Sequence, residues 1–177
     1  MKLFAVLSLL FLLLVVPPAL AESPLTGILG AFDEEVAFLQ SLVDSGRTEI
    51  VMGIPFTVGL LDGSDVVLAK TGVGKVNAAM TTTLLIDHFS PHEVLFTGIA
   101  GSLSDSLLPG DIVIGSRTTQ HDLMSVTDEG RERFAVVNPV TGARNPVFIP
   151  GDSTLIVLAD RAAAHARFDT LLTSHGG

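Results

Sequence analysis

Three consecutive acidic side chains, Asp33, Glu34 and Glu35, have the residue types best suited to acid–base chemistry in this sequence. They follow a short apolar run closed by glycine (residues 25–31), which predicts a buried strand ending in a tight turn. Acids are favoured in the first turn of a helix by the helix dipole, so capping alone could explain all three. If Val36 faces the sheet, however, Glu35 lies beside that buried face near the strand tip. Glu35 is then the best candidate for a general base with a raised pKa.

Two other motifs suit chemistry less well. The turn at residues 71–75 (TGVGK) resembles a phosphate loop, but Ala69 and Val76 stand where such a loop needs glycine and a hydroxyl residue. His88 and His92 have a metal-ligand spacing, yet the Ser-Pro pair between them predicts a helix end, so they do not share a face. We therefore expect no metal site and no cofactor.

The composition excludes several classes of protein. The chain has 177 residues, is 47% hydrophobic and contains no cysteine, which excludes a disordered polymer and a disulfide scaffold. Its 10 Lys and Arg against 19 Asp and Glu give a net charge of −9. Because no basic cluster is present to neutralise phosphates, we expect no nucleic-acid partner.

The N-terminus has the pattern of an export signal. A lysine at position 2 precedes an apolar run (residues 3–16), two prolines and the small residues of Ala19-Leu20-Ala21. A membrane anchor is the alternative, but a spanning helix needs about 20 apolar residues and the prolines interrupt this one early. We predict a signal peptide over residues 1–21 and one domain over residues 22–177. The mature protein would be periplasmic or secreted, without stable membrane association.

The rest of the chain alternates strands and helices, which indicates an α/β domain with a parallel or mixed sheet covered on both faces. Ligands in such sheets bind at the carboxyl ends of strands, here the glycine turns at residues 30–31, 72–74 and 98–101. The predicted strands cover residues 25–31, 57–60, 66–69, 93–97 and 111–116, the helices 33–42, 74–88 and 155–172, and a long loop 127–152.

Five segments in this order resemble one known family. They are GILGAFDEEV, TGVGKVNAA, VLFTGIAGSL, PGDIVIGS and QHDL, and the match is good over residues 26–123. The sequence is similar to the 5′-methylthioadenosine/S-adenosylhomocysteine nucleosidases of the nucleoside phosphorylase superfamily. The resemblance implies a three-layer α/β fold with a central mixed sheet, here C-terminally incomplete and corresponding to the N-terminal two-thirds of such an enzyme.

The resemblance also implies roles for individual residues. Glu35 resembles the glutamate that orients and deprotonates the attacking water. Many relatives carry Ser or Thr at the position of Ile99, so no hydroxyl contact carries over there. The other positions match residues that line the substrate site: Ala31 and Phe32 near the ribose and base, Val73 beside the 5′ tail, and Ala100 and Gly101, next to Ile99, under the ribosyl group.

The activity that the resemblance implies is hydrolysis of the N-glycosidic bond of a small purine nucleoside, releasing adenine. The family's general acid, an aspartate of a Ser-Asp motif, and its ribose-binding Met-Glu segment would lie downstream of Gly177. We therefore expect the activity of a full-length parent, acting as a homodimer, and not of this chain alone.

Two alternatives remain open. A purine or uridine nucleoside phosphorylase would place an arginine where this chain has Phe96, and the acids at residues 33–35 would repel phosphate, so hydrolysis is favoured. The chain could also be an inactive nucleoside-binding fragment.

Overall fold

The computed structural model describes residues 24–166. The predicted signal peptide and the end of the last predicted helix lie outside the described residues. The chain divides between Gly101 and Ser102 into two compact units. Within residues 24–166, none of the helices is long and apolar enough to cross a membrane.

The first unit is a five-stranded mixed sheet with two helices. In chain order the elements are β1 (Thr26–Gly30), α1 (Asp33–Ser41), β2 (Asp44–Val51), β3 (Ile54–Leu61), β4 (Ser64–Lys70), α2 (Lys75–Phe89) and β5 (Glu93–Phe96). The strand order in the sheet is β2-β3-β4-β1-β5. The strand β1 is parallel to both β4 and β5, whereas β3 is antiparallel to both β2 and β4.

The central strand β4 shows why both faces of the sheet are covered. Consecutive side chains of a strand point to opposite faces, and here both sets are apolar and buried. Val67 and Ala69 pack in one cluster with Leu85 of α2. Leu68 belongs to a second cluster, against which Leu39 of α1 packs. Burial of a leucine such as Leu85 contributes about 2 kcal/mol to folding. The predicted three-layer arrangement is therefore confirmed in this unit.

A glycine allows α2 to approach the sheet closely. A Cβ at Gly27 of β1 would lie 2.7 Å from the Cδ2 atom of Leu85. Since that leucine is fully buried, a side chain at position 27 would require it to shift within a packed core.

The strand β2 was not predicted. Most of its residues are exposed and polar, and it forms the edge of the sheet, so it lacks the apolar alternation that marks a half-buried strand. The predicted strands at residues 57–60 and 66–69 are confirmed within β3 and β4, which form a hairpin joined at Asp62 and Gly63.

The second unit contains short strands and one helix. The elements are β6 (Arg117–Thr118), β7 (Met124–Thr127), β8 (Gly130–Arg133), β9 (Ile149–Pro150) and α3 (Ser153–His165). The pairs β6-β9 and β7-β8 are antiparallel. Asp152 caps α3, since its Oδ1 accepts the N–H groups of Thr154 at 2.8 Å and Leu155 at 3.0 Å.

Two predictions for this unit are wrong. Residues 111–116 form no strand, and Ile112 and Val113 are exposed. An apolar run becomes a strand only where a neighbouring strand satisfies its backbone, and within residues 24–166 none pairs with this one. The predicted loop over residues 127–152 instead contains the end of β7, the strand β8 and the strand β9, because its polar residues form a hairpin and a short edge pair.

Candidate active site

Glu35 lies in the first turn of α1, and its carboxylate is held by backbone N–H groups. Oε2 accepts the N–H of Ala31 at 2.5 Å and that of Phe32 at 2.8 Å. Oε1 accepts the N–H of Ile99 at 2.7 Å. One side chain therefore joins the turn after β1 to the segment after β5.

The sheet brings these donors together. In the parallel pair of β1 and β5, Leu29 is opposite Phe96. The N–H of Thr97 donates to the carbonyl of Leu29 at 2.9 Å, which continues the ladder beyond the strand. The residues that follow the two strands therefore lie side by side at the carboxyl edge of the sheet, where α1 begins. This is the place at which α/β sheets bind ligands.

These hydrogen bonds determine the ionisation of Glu35. The N–H of Ile99, then that of Phe32, stabilise the carboxylate and lower the pKa of Glu35, with a smaller contribution from Ala31, while partial burial opposes them. The prediction of a raised pKa was therefore wrong. It considered only the apolar neighbours on α1, whereas charge-stabilising donors dominate. Glu35 is an anion at neutral pH.

The two carboxylate oxygens differ in what they can still accept. A carboxylate has about four lone-pair sites, two on each oxygen. The Ala31 and Phe32 N–H groups occupy those of Oε2, whereas Oε1 receives one protein donor. Oε1 is therefore the oxygen with capacity to bind a water molecule or a substrate donor.

The neighbouring acids have other positions. Asp33 forms an ion pair with Lys70 at the end of β4, with Nζ 2.8 Å from Oδ1, and both side chains are well exposed. Glu34 is exposed. Glu35 is thus the acid of this trio whose carboxylate accepts the backbone N–H groups that follow β1 and β5.

The structure brings several of the predicted binding positions together. Ala31, Phe32 and Ile99 are joined through Glu35, and Ala100 and Gly101 follow Ile99 in an exposed segment. The backbone of position 99 makes the contact, so the absence of a hydroxyl there does not remove it. Sequence reasoning considered only the side chain at this position and missed its N–H.

Val73 lies in the turn between β4 and α2, at the same edge of the sheet. That turn starts beside β1, where the N–H of Thr71 donates to the carbonyl of Gly30 at 2.8 Å. The Val73 side chain is exposed, and its carbonyl accepts Nδ2 of Asn77 at 2.8 Å. Val73 therefore contacts α2 through its carbonyl, and it shares only the sheet edge with the residues around Glu35.

The two histidines make separate contacts. The helix α2 ends at Phe89, and His88 Nε2 lies 3.5 Å from Oε2 of Glu49 on β2. The backbone N–H of His92 donates to the carbonyl of Leu25 instead. Across residues 24–166, no group of three or more His, Asp or Glu side chains could hold a metal ion.

Comparison with known proteins identifies the superfamily of this chain. The profile described as the Phosphorylase superfamily matches residues 26–171, and the chain therefore belongs to this superfamily. Within it, the chain is similar to 5′-methylthioadenosine/S-adenosylhomocysteine nucleosidases. It is 41% identical to that of Psychromonas ingrahamii over 137 residues, covering 77% of this chain and 56% of the relative. It is 46% identical to that of Bacillus cereus strain B4264 over 134 residues, covering 76% and 55%.

Solved structures of such nucleosidases share the fold. The enzyme of Colwellia psychrerythraea, in complex with adenine, superimposes with a TM-score of 0.71 at 37% identity, covering 80% of this chain and 56% of that chain. The enzyme of Neisseria meningitidis, in complex with methylthio-immucillin-A, gives a TM-score of 0.68 at 33% identity, covering 80% and 58%. The chain thus spans little more than half the length of these relatives.

Proposed function

We propose that the complete protein carrying this chain hydrolyses the N-glycosidic bond of 5′-methylthioadenosine/S-adenosylhomocysteine-type nucleosides and releases adenine. The observation that carries the proposal is the carboxylate of Glu35, held by three backbone N–H groups at the carboxyl edge of the sheet. The similarity to nucleosidases supports the choice of substrate.

The chemistry needs an anion at this place. Breaking the bond between the anomeric carbon and the purine nitrogen develops positive charge on the ribosyl group, as in glycoside cleavage. The lowered pKa of Glu35 keeps its carboxylate charged, so it offsets that positive charge. The oxygen of a water bound at Oε1 attacks the anomeric carbon while the bonding electrons leave with adenine.

The same low pKa makes Glu35 a weak base before reaction. Proton transfer to Oε1 therefore follows the formation of the carbon–oxygen bond, when the attacking water becomes acidic. The adenine takes up one proton, which the family resemblance assigns to an aspartate downstream of the described residues. Glu35 thus acts first through its charge and then as a proton acceptor.

The residues whose N–H groups bind the Glu35 carboxylate have apolar side chains. The side chain of Phe32 is 44% exposed and that of Ile99 is 77% exposed. Together with Ala31, Ala100, Gly101 and Val73, they would bind the apolar surfaces of the base, the ribose and the thioether tail, while Glu35 supplies the polar contact.

Hydrolysis is favoured over phosphorolysis. Phe96 occupies the place at which the resemblance would put an arginine in a phosphorylase. Glu34 and Glu35 add negative charge at the first turn of α1, where Asp33 is paired with Lys70. This environment disfavours a phosphate dianion.

We also propose that the complete protein is a homodimer and that residues 1–21 direct its export to the periplasm or the medium. Exposed apolar residues on α2, Val76 at 82% and Met80 at 49%, support a buried interface. Sedimentation measures the mass of the complete protein, and a monomeric mass would contradict the homodimer.

The proposed export is tested by N-terminal sequencing of exported protein. The sequence is expected to begin at Glu22, and an intact Met1 would contradict cleavage after residue 21.

The products test the proposed reaction. The complete protein is incubated with methylthioadenosine with and without inorganic phosphate, and the sugar product is identified by mass spectrometry. We expect adenine and free methylthioribose at a rate independent of phosphate. Formation of a ribosyl phosphate would instead establish phosphorolysis, and the absence of adenine release would overturn the proposal.

A further inference from the structure

Gly98 lies directly beneath the carboxylate of Glu35. A Cβ built at Gly98 would be 3.0 Å from Oε1 and 3.3 Å from Cδ of Glu35, closer than almost all Cβ contacts in proteins. It would also lie 3.4 Å from Cε1 of Phe96. A side chain at position 98 would therefore require the Glu35 carboxylate to shift by a few tenths of an ångström.

The carboxylate cannot simply move aside. Oε1 accepts the N–H of Ile99, the residue next to Gly98, and Oε2 is held by the N–H groups of Ala31 and Phe32. A methyl group at position 98 would displace Oε1 first and lengthen its bond to Ile99. A glutamate without such donors could change its position freely, whereas a shift of the Glu35 carboxylate would weaken its hydrogen bonds.

The requirement for glycine here is one of space and not of backbone conformation. Gly98 does not have a left-handed φ, whereas Gly72 at 78° and Gly74 at 101° do. An alanine could therefore adopt the backbone of position 98 without strain.

Other glycines at this edge differ. A Cβ at Gly30 would lie 2.8 Å from Cγ1 of the buried Val36 and 3.0 Å from Cβ of Glu35, so a substitution there would disturb the core and the stem of Glu35 and not its carboxylate alone. A Cβ at Gly101 would meet nothing within 4 Å. Gly98 is the position at which an added methyl group would press on the carboxylate.

We propose that Gly98 is a positioning residue, whose missing side chain lets the Glu35 carboxylate bind the Ile99 N–H at the carboxyl edge of the sheet. It acts through Glu35. The catalytic part of the inference rests on the proposed function, whereas the structural part does not.

The first test is independent of activity. The titration of the Glu35 carboxyl group is followed by NMR in the wild-type chain and in Gly98→Ala. We expect the variant to raise the pKa of Glu35, because the donor that lowers it most is displaced. An unchanged titration would overturn the proposal.

A matched control is Gly115→Ala, since a Cβ there meets nothing within 4 Å and the glycine has no left-handed φ. It should leave the Glu35 titration unchanged. The charged groups around the carboxylate, Asp33 and Glu34 on α1 and Lys70 on β4, are the same in both variants.

The second test measures coupling in the complete protein. Gly98→Ala should lower kcat/KM by about 10²-fold through kcat, as expected for a misplaced catalytic group. In a Glu35→Gln background it should lower the residual rate little further, because both changes disable the same group. If the losses of Gly98→Ala and Glu35→Gln multiply in the double variant, the two residues act independently and the proposal is overturned. A wild-type protein without hydrolysis would instead refute the proposed function and leave the titration result standing.

A variant that fails to fold is also informative. If Gly98→Ala does not fold, the double variant Gly98→Ala/Glu35→Ala should fold, since the side chain that meets the methyl group is then removed. If the double variant also fails to fold, glycine is needed at position 98 for another reason and the proposal is wrong.

Discussion

The backbone N–H of Ile99 donates to Oε1 of Glu35 at 2.7 Å and joins residues 64 positions apart in the chain. The contact depends on the path of the backbone after β5 and not on the side chain at position 99. The carboxylate is therefore held although the side chain at position 99 carries no hydroxyl group.

The lowered pKa of Glu35 predicts how stability depends on pH. A carboxyl group whose pKa is lower in the folded state contributes stability above its ordinary value of 4.5, and this contribution is lost as the pH falls through the folded-state pKa. The difference in unfolding free energy between wild type and Glu35→Gln should therefore shrink on acidification from about pH 7 to about pH 3. Urea unfolding at each pH measures it. A difference that grows on acidification would contradict the assignment.

Thr81 of α2 predicts a stabilising substitution. Its side chain is fully buried, and its hydroxyl has no hydrogen-bond partner among the residues described. Thr81→Val keeps the shape and removes the unsatisfied hydroxyl, which should raise the free energy of unfolding by about 1 kcal/mol. The control is Thr83→Val, because that exposed hydroxyl donates to the carbonyl of Ala79 at 2.8 Å. If denaturant unfolding shows Thr81→Val to be less stable than wild type, the hydroxyl of Thr81 has a partner and the prediction is wrong.

The cap of α3 predicts a local loss of stability. Asp152→Ala removes the acceptor of two N–H groups and should destabilise the second unit by about 1 kcal/mol. Asp160→Ala, an exposed change within the same helix, is the control. Hydrogen exchange of the first turn of α3 measures the effect, and equal protection in the two variants would contradict it.

The position of Glu35 could be predicted from the sequence because a buried strand, a glycine turn and a helical apolar period are all local signals. The direction of its pKa shift could not, since the strongest donor, Ile99, comes from a distant segment that no local pattern connects to it. Residues 111–116 show where a local pattern misleads. Their short apolar run is typical of a buried strand, but strand formation depends on a neighbouring strand that the pattern does not contain.

The proposed hydrolysis depends on the carboxylate of Glu35, which the strand ends hold in place. The decisive measurement is the rate of adenine release from methylthioadenosine by the complete protein, compared between Glu35→Gln and Glu34→Gln. All three partners of the Glu35 carboxylate are donors, so the glutamine NH₂ group must face at least one N–H, and the variant can neither accept a proton nor offset positive charge. We expect kcat to fall by about 10² to 10⁴ in Glu35→Gln, while Glu34→Gln stays near wild type. An active Glu35→Gln enzyme, or an inactive Glu34→Gln enzyme beside it, would contradict the account.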